Sequence, residues 1–223
     1  MLNEIQAEIL RQVADMAALP ETGAVNLRSD GERAFHRDSE HVHIVSKTDK
    51  PGIDIHVDPG TKGETVHIPV VITKTGIKDL VYNDFFIGEG AEVKIVAGCG
   101  IHNCGGCDSE HDGIHTFHVG KGAKVTYLEK HYGEGDGVGK RILNPQTILY
   151  LEEGASVTMD TSQIRGVDDT KRYTRAVVGE NAEIVIQEKL LTHASQKAES
   201  EMDVFLNGAG SKTRVVSRSV AQD

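Results

Sequence analysis

The chain has 223 residues, is 38% hydrophobic and 26% charged, and sets 24 Lys and Arg against 34 Asp and Glu for a net charge of −10. With a mean hydropathy of −0.31 it is too apolar for a disordered chain, and no apolar run approaches a membrane span. The negative balance, unrelieved by any basic stripe, argues against a nucleic-acid partner, and the absence of Trp removes a stacking platform for bases. The opening residues carry early acids and no apolar leader core, so a reducing cytoplasm is the expected compartment.

Residues 1–19 read as an amphipathic helix. Leu2, Ile5, Ile9, Leu10, Val13, Met16 and Ala17 recur at helical spacing, Glu4, Glu8, Arg11 and Asp15 fall on the other side, and Leu19-Pro20 stops the run. Such a helix packs on the main body or docks a partner. Residues 20–39 read as an irregular linker. From residue 40 to 223 the pattern is strand and turn, with 23 Val and 17 Ile against 12 Leu and strict alternation in segments such as 41–45, 53–57 and 66–72.

One motif repeats. IGEGAEVKI at 87–95 returns as VGKGAKVTY at 119–127, LEEGASVTM at 151–159 and VGENAEIVI at 178–186, and more loosely as LNGAGSKTRV at 206–215. The anchors Gly90, Gly122, Gly154, Asn181 and Gly210 are 32, 32, 27 and 29 residues apart. A fixed period of this size means stacked supersecondary units. Each unit offers a turn residue that tolerates positive φ, a small Ala on which the next turn can stack, and a short alternating strand. The fold class expected is all-β: a parallel β-helix of coils of about 27–32 residues behind an N-terminal α-helix. The segments Cys99–His118 and Gly133–Lys140 are expected to project from it as loops.

The chemistry concentrates in the first of these. Cys99, Cys104 and Cys107 form a Cys-x4-Cys-x2-Cys pattern, with His102 inside it and His111, His115 and His118 after it. Three clustered thiols in a reducing compartment point to metal or redox chemistry rather than a disulfide framework. Cys-x2-Cys lets two thiolates reach one centre, the glycines between them let the loop wrap an ion, and the donor types suit zinc or an iron–sulfur cluster. Cys99, Cys104 and Cys107 are therefore the candidate ligands or sulfur acceptors, with His102 or His111 as a fourth donor. His41, His43, His56 and His67 read as structural strand histidines, and His131 as a residue that could approach the Cys loop from the next coil. The glycine-rich run 133–141 fits no phosphate-binding loop and reads as flexible and solvated. An enzyme in which zinc activates water finds no general base here.

Residues 110–135, EHDGIHTFHVGKGAKVTYLEKHYGEG, together with the repeats at 151–159 and 178–186 and SKTRVVSR at 211–218, resemble the SufB/SufD family of iron–sulfur cluster assembly proteins, most of all its short single-protein members. The resemblance covers roughly residues 35–223 and implies a right-handed parallel β-helix. It also implies a non-catalytic cytoplasmic scaffold carrying a transient iron–sulfur cluster. The implied partners are a SufC-like ABC-type ATPase and a second β-helix, as a homodimer or a SufB/SufD-like heterodimer. It further implies additional coils and a C-terminal helical segment that docks on the ATPase, for which the residues up to Asp223 offer no counterpart. The alternative reading is a structural β-helix interaction module with a zinc-stapled Cys/His loop, and zinc is then the bound metal.

Overall fold

The repeated turn builds the molecule. In a computed structural model, which describes residues 3–16 and 18–223, Gly90, Gly122, Gly154, Asn181 and Gly210 all take left-handed backbone, with φ between 53° and 70°. Gly and Asn enter that region at least cost. Their amides then link one turn to the next: Gly90 N–H to the Lys121 carbonyl at 2.8 Å, Gly122 to Glu153 at 2.9 Å, Gly154 to Glu180 and Asn181 to Ala209 at 2.8 Å. Ala91, Ala123, Ala155 and Ala182, beside these turns, are buried in one stack.

The strands are β1 (Ala24–Ser29), β2 (Glu32–Arg37), β3 (Val42–Ser46), β4 (Gly52–Val57), β5 (Lys62–Ile72), β6 (Lys78–Ile87), β7 (Glu92–His102) and β8 (Ser109–Val119). They continue as β9 (Lys124–Glu134), β10 (Arg141–Leu143), β11 (Gln146–Leu151), β12 (Ser156–Arg165), β13 (Asp169–Val178), β14 (Glu183–His193), β15 (Lys197–Leu206) and β16 (Lys212–Gln222). One sheet runs β16-β14-β12-β9-β7-β5-β1-β2; the other runs β10-β13-β11-β8-β6-β4-β3, with β15 on β13. Each coil gives one strand to each sheet, so the chain winds an all-β, mostly parallel solenoid of about six turns. Among the described residues, only the β1–β2 and β3–β4 pairs are antiparallel.

Register follows the repeat. Glu92 pairs Lys124, Lys124 pairs Ser156, Ser156 pairs Glu183 and Glu183 pairs Lys212, the same steps as the turn anchors. Alternation sends every second residue into the lumen, where like side chains stack coil on coil; the Phe85 and Phe117 rings lie parallel with centroids 4.2 Å apart. Outside, His56, Phe86, His118 and Tyr150 form a second ladder of stacked rings, 4.8, 5.0 and 5.5 Å apart.

Three sequence expectations need correction. Residues 20–39 are no irregular linker: β1 and β2 lie there, and β1 pairs in parallel with β5 as part of the solenoid. The short polar-interrupted segments hid this, because each is only six residues long. The helix, α1, spans Glu4–Ala14 rather than 1–19. Asn3 and Gln6 close a capping box at its start, and Asp15 ends it in left-handed backbone at φ 54°. Met16 still buries, which is why the apolar period runs past the helix; Leu2 and Ala17 lie outside the described residues. Finally, β7 and β8 absorb most of 99–118, leaving only residues 103–108 as loop.

α1 packs on the outer face of the solenoid with Ile9, Leu10 and Val13 fully buried against Leu27, Val71, Val96 and Tyr132. Close approach requires glycine beneath it. A Cβ at Gly98 would overlap the Val13 carbonyl, and one at Gly100 would overlap Ile9 Cγ2. The G98A variant is expected to lose about 1–3 kcal/mol by lifting the helix; urea unfolding against the parent protein checks it.

Candidate functional site

At one corner of the solenoid, residues 103–108 lie between residues 73–77 of the coil before and 135–140 of the coil after. Thr75 Oγ1 donates to the Cys107 carbonyl at 3.0 Å. On the other side, the Gly137 amide donates to Asn103 and the Gly139 amide to Gly105, at 3.1 and 3.0 Å. A side chain at Gly139 would strike the Cys107 carbonyl. The run 133–141, expected as a flexible solvated loop, is therefore a laid-down corner: its glycines serve close backbone approach. Fully buried Asn103 holds the Cys loop in shape, accepting from the Gly105 amide at 3.0 Å and donating to the Cys107 carbonyl at 2.8 Å.

On this corner a line of polar groups forms. Cys104 Sγ is exposed and lies 3.0 Å from His102 Nε2. His102 Nδ1 lies 3.1 Å from Glu134 Oε1. Tyr132 donates its hydroxyl proton to Glu134 Oε2 at 2.9 Å, and Arg165 Nη2 donates to the Tyr132 oxygen at 3.0 Å. The ladder itself aligns them, since His102 pairs with Glu134 and Tyr132 with Arg165 in register. The Asp136 carboxylate lies beside Cys104, and this neighbour holds that carboxyl below its ordinary range. Cys107 is exposed as well but faces the preceding corner, with its Cβ beside Gly76.

The five expected donors thus fall in three places. Cys104 and His102 meet at the corner; Cys107 lies on its other side; Cys99 and His111 point inward, because both sit at lumen positions of β7 and β8. Cys99 packs with Val70, Ile72 and Ile101, and burial pushes its thiol well above the ordinary range. His111 Nδ1 meets Asp79 Oδ2 at 3.1 Å. Burial opposes the Asp79 charge, but hydrogen bonds from His111 and Arg28 outweigh it and hold the carboxyl at about 2. Among the described residues, no three of His, Cys, Asp and Glu are arranged to hold a metal ion.

The lumen carries a second polar group, which sequence reading missed. Arg172 of β13 crosses from one sheet to the other, donating to Glu129 Oε2 at 2.6 Å, with its Nη2 3.3 Å from His131 Nδ1 and Nε 3.6 Å from Glu188 Oε2. Ser200 and Ser217 donate to Glu188 at 2.7 and 2.8 Å. Tyr127 donates to Glu129 at 2.8 Å and lies 2.8 Å from His115 Nδ1. The Tyr127 oxygen therefore accepts from His115 Nδ1, leaving Nε2 as acceptor for Asn83 Nδ2 at 3.3 Å. Burial holds His115 at about 4 and His131 at about 3, despite the attraction of Glu129. Glu129 itself is kept well below the carboxylate range, because Arg172 outweighs its burial. A cavity of about 20 Å³, room for one water, separates Cys99, His111, His115, Glu129 and His131. His131 thus approaches Cys99, the first cysteine of the segment and its partner in register on the preceding coil, inside the lumen rather than at the 103–108 corner. His118 lies outside in the ring ladder.

The chain is thus a mostly parallel solenoid that presents a thiol–imidazole line on one corner. No protein-family model matches the chain. Two curated proteins of Methanothermobacter thermautotrophicus do, both named iron–sulfur cluster assembly SufBD family proteins. The one from strain Winter is 26% identical over 151 residues, and the one from strain Delta H 24% over 148; each match covers 66% of this chain and 35% of the relative. The chain spans about a third of the length of these relatives. This distant homology agrees with the solenoid and sets the chain's resemblance at the level of SufBD-type scaffold proteins. Among the described residues, no helix is long and apolar enough to cross a membrane.

Proposed function

We propose that the chain is a scaffold component of a Suf-type iron–sulfur assembly system, in which the corner thiol Cys104 takes up sulfur for a cluster that is cargo. The observation that carries this reading is the exposed Cys104–His102 pair on a solenoid distantly homologous to SufBD proteins. The cluster needs several thiolate or imidazole donors, and one chain brings two together at this corner, so a second solenoid supplies the others. Energy for building or releasing the cargo comes from an ABC-type ATPase partner, since the sequence holds no phosphate-binding loop.

The test is anaerobic reconstitution with iron and sulfide, followed by the visible spectrum and the iron bound per chain. A brown chromophore that is lost in Cys104→Ser is the expected result. A wild-type protein that stays colourless, or a C104S variant that loads as well as the parent, overturns it.

A further inference from the structure

We propose that Cys104 is an activated thiol that exchanges with the sulfur–sulfur bond of small cationic disulfides, with His102 as its base and Glu134 as the group that positions the base. This goes beyond the scaffold reading and does not depend on any cluster being held.

The case is geometric. A nucleophilic thiol needs a base in hydrogen-bond reach and a third group that fixes the base. Cys104 Sγ has the first at 3.0 Å, and His102 has the second at 3.1 Å. Glu134 is acceptor-only when ionised, so His102 Nδ1 carries the proton it shares with Glu134, and the Nε2 lone pair faces the thiol. Glu134 is in turn held by Tyr132, and Tyr132 by Arg165. None of these groups can drift independently, because all but Cys104 lie on strands in paired register, and Asn103 ties the backbone beside Cys104 to the following corner through Glu134, Gly137 and Lys140. Cys107 makes the contrast: exposed on the same loop, with no imidazole among its hydrogen-bond partners in the described residues.

The exchange balances without an outside oxidant. The Cys104 proton passes to His102 Nε2, and the thiolate attacks one sulfur of the disulfide. A Cys104–sulfur bond forms as the original sulfur–sulfur bond breaks, and the departing thiolate takes the proton back from the imidazolium. Cys104 is oxidised to a mixed disulfide and one small thiol is released. The corner is open, with free space beside Gly106, so a small disulfide reaches it. The carboxylates of Asp136 and Glu134 stand at this corner, on a chain of net charge −10. A cationic disulfide is therefore favoured over an anionic one.

Metal-free protein at pH 7 is treated with cystamine, and the site of modification is followed with time by peptide mass spectrometry. Cys104 is expected to react at least about 10-fold faster than Cys107, a tenth of the roughly 100-fold at the low end of what a positioned base contributes. His102→Gln should bring Cys104 down to the Cys107 rate, Glu134→Gln should give an intermediate rate, and the anionic reagent dithiobis(nitrobenzoate) should show a smaller preference for Cys104. Buried Cys99 is the internal check on folding, since it becomes labelled only when the solenoid opens. Equal rates at Cys104 and Cys107, or a Cys104 rate unchanged in a folded H102Q protein, overturns the proposal. Because no iron or sulfide is present, failure here is separable from failure of cluster loading.

Discussion

Replacing Arg172 with Met is expected to remove about 3–5 kcal/mol of stability, the usual result of stranding buried charge. The guanidinium is 2% exposed and the carboxylates it faces, Glu129 and Glu188, are 4% and 2% exposed. Without Arg172, two carboxylates remain across the lumen with only Tyr127, Ser200 and Ser217 as neutral donors. The triple variant Glu129→Gln, Arg172→Met, Glu188→Gln should recover most of the loss, because removing all three charges removes the desolvation penalty along with the attraction. Denaturant unfolding of the single and triple variants decides this. A single variant within about 1 kcal/mol of the parent would mean that the lumen cluster is hydrated enough to behave like a surface pair.

Acid should weaken the same region before most carboxylates titrate. In the unfolded chain His115 and His131 bind a proton near the ordinary value of about 6.5; in the fold burial holds them at about 4 and about 3. Between those limits the unfolded state carries more protons, so stability falls as pH falls, by about 1.4 kcal/mol per pH unit for each histidine. From pH 6.5 to 4, His115 alone accounts for about 3 kcal/mol. His67, also depressed by burial, acts in the same direction. Below pH 4 the loss continues through Asp79, whose lowered carboxyl stabilises the fold only while it is ionised. Denaturation midpoints should therefore stay nearly level from about pH 7.5 to about 6.5 and decline from there to about pH 5, and His131→Gln should flatten part of the slope. A level profile below about pH 6.5 would show that these histidines bind protons as readily in the fold as in the unfolded chain.

The two polar sites differ in kind. The lumen cluster is closed and holds the two sheets to each other through Arg172, which faces both Glu129 and Glu188; the corner line is open and leaves a nucleophilic atom facing solvent. Their separation follows from strand alternation: Glu129 and His131 face inward on β9, while Glu134, at the end of that strand, faces the corner beside His102.

The periodic turn was sufficient to establish the coil. Positive φ at Gly90, Gly122, Gly154, Asn181 and Gly210, the buried Ala after four of them, and strand steps of 32, 32, 27 and 29 residues were all legible in the sequence, because local steric limits and a repeat need no long-range information. The same period also places Glu134 one coil below His102, a signal present in the sequence but left unread. Which side of the wall each donor faces emerged with the folded coil alone. Cys99, Cys104 and Cys107 are neighbours in the chain, yet one packs in the lumen and the others on opposite sides of a corner. Arg172 and Glu129 are 43 residues apart and meet across two sheets. Convergence of donors depends on strand phase and on which coil lies above which. Spacing along the chain fixes neither where a corner interrupts the alternation.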